Sequence, residues 1–257
     1  MPEKKPVLIL VGDSRICGFD TFKYENCRTR FVIERGALIK DLVEKTLDIV
    51  REYCVQNRDV IVKIACGVNE YTKFESINGK RFLRFHSVKS RSVIGKLKSF
   101  KDKIKSIRPQ TVVGFITVPT LSFRNYQDFR ITEKYHKSKA NIGFSHENLQ
   151  NDQRKLDVEL IGLNADIKLE NSRKQSGLLK GCFTISWHNS ISRESRRKRR
   201  SGSRKVVRND FKELYDGLHA TRTLKRKWHK QLLKCATSEL KLIKQHNLKT
   251  TKVTVKV

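Results

Sequence analysis

Four short apolar runs, each ended by a turn and separated by stretches of helical periodicity, confine this chain to a narrow set of folds. The runs are VLILV at 7–11, FVIE at 31–34, DVIVKIA at 59–65 and TVVGFITV at 111–118, and a glycine or proline follows each within two residues. A continuous apolar run of this length reads as a strand buried on both faces, the kind found in parallel sheets. Between the runs, Ile39, Leu42, Val43, Thr46, Ile49, Val50 and Tyr53 recur at helical spacing and predict an amphipathic helix across 38–56. Val93, Leu97, Phe100, Ile104 and Ile107 predict a second across 90–107, closed by Pro109. Leu149, Leu156, Leu160, Leu163 and Ile167 mark a third helix, and CFTISW at 182–187 reads as a fifth strand. Residues 74–88 read as a loop or hairpin, and the polar stretch with aromatic residues from 119 to 145 carries no period. Strand and helix alternate, so the expected architecture is a three-layer αβα domain with a mostly parallel, five-stranded sheet.

The last helix is expected across 221–246, with Thr221 as its N-cap and Leu224, Trp228, Leu232 and Cys235 turned inward. The final TTKVTVKV alternates valine with polar residues and reads as a tail or an extra edge strand over 247–257. At 257 residues the chain suits one domain, 1–246, with a decoration at 193–208. That decoration, RESRRKRRSGSRKVVR, holds nine basic residues against one acid and cannot pack into a core.

In open α/β sheets the functional groups gather at the carboxyl ends of the strands, so the turns after the apolar runs are where chemistry is expected. The first turn reads Gly12-Asp13-Ser14. A serine at the tip of a strand, beside a glycine that lets the backbone bend, can expose both its hydroxyl and its amide. Alone this is a weak signal that an N-cap would also satisfy. Gly36, at the end of the second run, offers an amide with no side chain in the way. Asn69, in the Gly67-Val68-Asn69-Glu70 turn, offers a neutral side-chain donor suited to an oxyanion. Asp216-Gly217-Leu218-His219 precedes the last helix, and a histidine three residues after an aspartate can take its orienting hydrogen bond from that aspartate while facing a serine.

This ordered set resembles the SGNH hydrolases, also called GDSL esterases and lipases, whose serine block GDS is followed by a lone glycine, a GxN turn and a DxxH turn. The resemblance spans residues 7 to about 235 and implies a flavodoxin-like sheet and a serine carboxylic-ester hydrolase. It implies Ser14 as nucleophile, His219 as general base and acid, and Asp216 as the group that orients His219. The Ser14 amide, the Gly36 amide and the Asn69 side chain would form the oxyanion hole. No metal or organic cofactor is implied. Two positions depart from the family pattern. Arg15 stands where Leu or Ile is usual, and Glu70 where Asp is common. An arginine beside the nucleophile is expected to crowd or recharge the pocket mouth, which favours a small anionic ester over a lipid-like one. Combined with a basic surface, the core also resembles esterase regions of some animal retrotransposon proteins.

The charge balance is the other constraint: 56 Lys+Arg against 26 Asp+Glu, a formal net charge of +30. A field of that sign attracts polyanions without specifying a fold. Contact with RNA or DNA is expected through Arg196, Arg197, Lys198, Arg199, Arg200, Arg204 and Lys205, and RRKRR also fits a nuclear import signal. The competing function is therefore a catalytically idle fold of the same type that binds nucleic acid; a plain solvated surface is the blandest reading of the same charge.

The six cysteines form no CxxC pair and no zinc spacing, so free thiols are expected. The histidines at 86, 136, 146, 188, 229 and 246 have no partner at a defensible spacing and are expected to be structural or superficial. The apolar run at 7–11 is too short for a signal-peptide core or a membrane span, which points to an intracellular protein, cytoplasmic or nuclear.

Overall fold

The computed structural model describes residues 5–77, 80–135, 146–175, 178, 181–187, 211, 214, 216 and 218–254. Four parallel strands, β1 (Val7–Asp13), β2 (Arg28–Glu34), β3 (Val60–Ala65) and β6 (Val112–Phe115), form one sheet in the order β2-β1-β3-β6. A hairpin, β4 (Thr72–Ile77) and β5 (Lys80–Phe85), stands apart. The helices are α1 (Ile39–Val55), α2 (Ser90–Ile107), α3 (Phe123–Tyr135), α4 (His146–Ser172) and α5 (Arg222–Thr254).

Side chains alternate across a strand, and β1 divides accordingly. Val7, Ile9 and Val11 enter a core built with α1, α2 and α4, while Leu8 and Leu10 enter a second core with Phe19, Trp187 and the inner face of α5. The result is the three-layer αβα arrangement that the strand and helix periods implied. Gly12 does not bend the chain as expected. It lies within β1, paired with Ile33 and Ala65, and its φ is not positive. Its role is steric, since a Cβ there would lie 2.6 Å from the Ala65 carbonyl oxygen.

One buried ion pair crosses the α5 side of the sheet. Lys63 of β3 and Glu239 of α5 meet at 2.6 Å with side chains 1% and 0% exposed, and Glu239 also accepts from the Phe183 amide at 2.8 Å. Lys63 has room because its β6 neighbour is Gly114, where a Cβ would stand 2.7 Å from Nζ.

The fifth strand is the main correction to the expected sheet. Residues 182–187 pair with it through a single parallel bridge, Ile116 with Ile185, rather than a ladder. The outer edge of β6 is already occupied by side-chain amides of α4 and the residues after it. Asn171 both donates to and accepts from Phe115, at 2.7 and 2.9 Å. Gln175 does the same at Val113, at 2.8 and 3.2 Å, and Asn164 at Val118, at 2.9 and 2.7 Å. With their edge groups satisfied, Val113 and Phe115 need no further strand.

Three other segments differ from expectation or refine it. The aperiodic stretch after Pro119 contains α3, started by Ser122, whose hydroxyl accepts the Asn125 amide at 3.2 Å. The 74–88 segment is a hairpin. The residues from 247, expected as a tail or edge strand, continue α5 to Thr254. Helix propagation adds one bond per residue fixed, and threonine and valine cost it only about 0.7 kcal/mol each. The basic segment 193–208 lies outside the described residues.

Candidate functional site

The strand register brings the expected turns to one edge. β1 ends with Asp13 opposite Glu34 and with Gly12 opposite Ala65, so Ser14, Gly36 and Asn69 all follow the carboxyl ends of adjacent strands. This is where the strand order reverses around β1, the position at which open α/β sheets hold their ligands.

Ser14 opens a short 3-10 turn, Ser14–Ile16, capped by the Asp13 side chain. His219 arrives from 205 residues away. Its Nε2 lies 3.0 Å from Ser14 Oγ, and its Nδ1 lies 2.5 Å from Asp216 Oδ2. The Asp216 turn is held closed by an antiparallel bridge between Leu214 and Ala220. Asp216 Oδ1 also accepts the backbone amides of Leu218, at 2.9 Å, and of His219, at 2.6 Å. Burial alone would push the Asp216 carboxyl up. The His219 ring and the two amides outweigh it and hold the group below the usual carboxylate range. Asp216 is thus a carboxylate with both oxygens engaged, aligned on a histidine that faces a serine hydroxyl.

The remaining donors lie beside this row in sequence and topology. Gly36 has φ +70°, a left-handed conformation that favours glycine, and open space where a side chain would stand. Asn69 Nδ2 donates to the Ala37 carbonyl at 2.9 Å, which ties the Asn69 turn to the Gly36 turn and leaves Asn69 a second N–H. Among the described residues, the Gly36 amide has no acceptor.

Two residues have parts that sequence reasoning missed. Arg15 does not stand at a pocket mouth. It is 5% exposed, with Nε and Nη2 each 2.9 Å from the two Asp13 oxygens and Nη1 3.3 Å from the Pro119 carbonyl. Its charge is neutralised by Asp13, which removes the ground for expecting an anionic ester. A residue two positions from an acid across a tight turn was the available signal. Glu70 is buried as well. It accepts the first α1 amide, Ile39 N, at 2.9 Å and pairs with Lys96 of α2, so it fastens the Asn69 turn to two helices. A carboxylate at a helix N-terminus is favoured by the helix dipole.

Elsewhere, all six cysteines are free. Among the described residues no cluster of three or more His, Cys, Asp or Glu side chains could hold a metal, and no helix is long and apolar enough to cross a membrane. His229 is buried rather than superficial, stacked on Phe22 at 4.4 Å. Arg196, Arg197, Lys198, Arg199, Arg200, Arg204 and Lys205 lie outside the described residues.

No protein-family model matches the chain, and no curated protein matches it. Solved structures do resemble it in shape. A carbohydrate esterase family 3 from Talaromyces cellulolyticus shares 13% identity, with 93% of this chain and 99% of that one covered and a TM-score of 0.48. A lipase/acylhydrolase from Enterococcus faecalis shares 12% identity over 89% of this chain and 94% of that one, with a TM-score of 0.47. The periplasmic domain of a Salmonella ser. Paratyphi A lipopolysaccharide acetyltransferase shares 14% over 90% and 83%, with a TM-score of 0.44.

Proposed function

We propose that the chain is a serine hydrolase of carboxylic esters, of the SGNH type, acting through an acyl-serine intermediate. The observation that carries this reading is the continuous row from Ser14 Oγ through His219 to Asp216, at 3.0 and 2.5 Å. A serine hydroxyl is a poor nucleophile until a base within hydrogen-bond reach takes its proton, and a base works best when a third group fixes its tautomer.

In the proposed reaction Ser14 Oγ attacks the ester carbonyl while its proton passes to His219 Nε2. The carbonyl oxygen becomes an oxyanion, held by the Ser14 and Gly36 amides and the second N–H of Asn69. Collapse expels the alcohol, which takes the proton from His219. Water then attacks the acyl-serine with His219 again as base, releasing the acid and restoring Ser14. Asp216 keeps Nδ1 protonated and stabilises the imidazolium formed in each half. Each oxyanion donor contributes on the order of 3 kcal/mol in the transition state. The substrate class is a small acyl or lipid-like ester, with no requirement for negative charge.

The test is a fluorophosphonate probe, which modifies only an activated serine. It is expected to label Ser14 in the wild type and to leave Ser14→Ala and His219→Ala unlabelled, while Asp216→Ala retains partial reactivity because it orients rather than transfers the proton. An unlabelled, folded wild type would favour the idle fold instead.

A further inference from the structure

The helix that closes the α5 side of the sheet carries a charge pattern that neither its packing nor the ester chemistry uses. Over its 33 residues α5 has ten Lys and Arg and a single acid, Glu239. That one acid is fully buried against Lys63 and contributes nothing to the outer surface. Facing out are Arg222, Arg226, Lys230, Lys234, Lys241 and Lys244. The first four follow one another at i,i+4, so each stands one turn above the last on a single stripe.

Like charges at that spacing repel and destabilise a helix. α1 avoids this arrangement, and in α2, where Lys101 and Lys105 also stand at i,i+4, Lys96, Lys98 and Lys101 are answered by the buried carboxylates of Glu70 and Glu170. On and around α1, Lys45 pairs with Glu34, Arg51 with Asp48, and Glu52 with Arg30. Around α4, Glu159 answers Lys89 and Glu170 answers Lys101. Among the described residues no carboxylate lies within ion-pairing distance of Arg222, Arg226, Lys230, Lys234 or Lys241. A helix whose outer face served only for solubility would mix the two signs, as α1 does.

The shape of the stripe narrows the partner. Arg222 to Lys244 spans about 33 Å at 1.5 Å per residue, close to the ~34 Å of one duplex turn. No large apolar side chain is exposed along it; Val55, Phe74, Val158, Ile161 and Leu169 all lie on other elements. A helix lying in a lipid surface needs an apolar face in the acyl region, and the apolar face of α5, with Leu224, Trp228, Leu232 and Leu240, is buried against the sheet. The absence of exposed aromatic rings along the described part of the stripe also removes the stacking platform that single strands use.

We infer that the outer face of α5 is a docking surface for the phosphate backbone of double-stranded nucleic acid. Binding is by charge and shape, without sequence readout, because guanidinium and ammonium groups on a convex face reach phosphates and not base edges. The inference does not depend on the ester reading. The stripe begins three residues after His219, so a bound duplex lies beside the candidate site without entering it.

The test uses the full chain and a fluorescently labelled 20-base-pair duplex, with affinity followed against salt. The fourfold variant Arg222→Gln, Arg226→Gln, Lys230→Gln, Lys234→Gln is compared with wild type, leaving the 193–208 segment intact. Each lost phosphate contact makes the slope of log affinity against log salt shallower by about 0.9, so a change of about 3 to 4 is expected. The charge-keeping variant Arg222→Lys, Arg226→Lys is expected to retain the wild-type slope. Thermal unfolding of the Gln variant should be unchanged or higher, because repulsion has been removed and Gln is a good helix former. Fluorophosphonate labelling of Ser14 should match wild type, so that loss of duplex binding and failure of the ester reading are separate results. An unchanged slope in the Gln variant overturns the inference. Tighter binding of a single strand of the same length, or loss of binding to phosphatidylserine vesicles with duplex binding intact, overturns the choice of partner.

Discussion

Replacing Arg15 by leucine, the residue type usual beside the nucleophile in the resembled family, tests how the Ser14 turn is held. The Arg15 and Asp13 side chains are 6% and 1% exposed and share two hydrogen bonds of 2.9 Å, and Asp13 also accepts the Arg15 amide at 3.0 Å. In Arg15→Leu the Asp13 carboxylate stays buried with only that amide as donor. Removing one partner of a buried pair costs about 3–5 kcal/mol. At about 2–4 °C per kcal/mol for a domain of this size, Tm should fall by roughly 6–20 °C. The bond from Arg15 to Pro119 is long at 3.3 Å and adds little. Adding Asp13→Asn to Arg15→Leu removes the stranded charge, keeps an acceptor for the residue-15 amide, and should recover at least about 2 kcal/mol. Denaturant unfolding followed by the fluorescence of Trp187 and Trp228, the only two tryptophans, measures both variants. If Arg15→Leu loses under about 1 kcal/mol, or the double variant is no more stable than the single, the pair does not hold this turn in the way described.

Two further outcomes follow from buried groups on the α5 side. Glu239→Ala should cost about 3–5 kcal/mol by leaving Lys63 charged and unpaired in the core. Lys63→Met with Glu239→Gln should regain most of that, since the glutamine oxygen can still accept the Phe183 amide; equal losses in urea unfolding would argue against it. His229 is buried against Phe22, its Nε2 has no partner among the described residues, and burial lowers its pKa from the ordinary value. The unfolded chain therefore binds a proton that the folded one resists, so this contribution to stability is complete above about pH 6.5 and declines as pH falls toward the folded value. His229→Phe keeps the ring stack and should flatten the difference in unfolding free energy between pH 7.5 and 5.5; an unchanged difference relative to wild type would refute the assignment.

The layered fold was readable from the chain because two periods, continuous apolar runs and 3.6-residue stripes, are local properties that survive burial. β1, β2, β3, α1 and α2 lie within a few residues of where those periods place them. The residue types of the candidate site were readable for a similar reason: glycine, asparagine and the Asp-x-x-His spacing each have a geometric meaning within a few residues. What needed the tertiary structure is wherever a partner comes from far along the chain. Residues 182–187 have the composition of a strand, yet Asn171 and Gln175 had already taken the hydrogen-bonding edge of β6. Arg15 is of a type normally exposed, and only the fold buries it against Asp13 and carries it to Pro119. No local pattern distinguishes a serine that caps a turn from one that meets a base. The Ser14 hydroxyl faces His219 because β1 lies in the middle of the sheet and the bridge between Leu214 and Ala220 turns a segment 205 residues away back onto its carboxyl end.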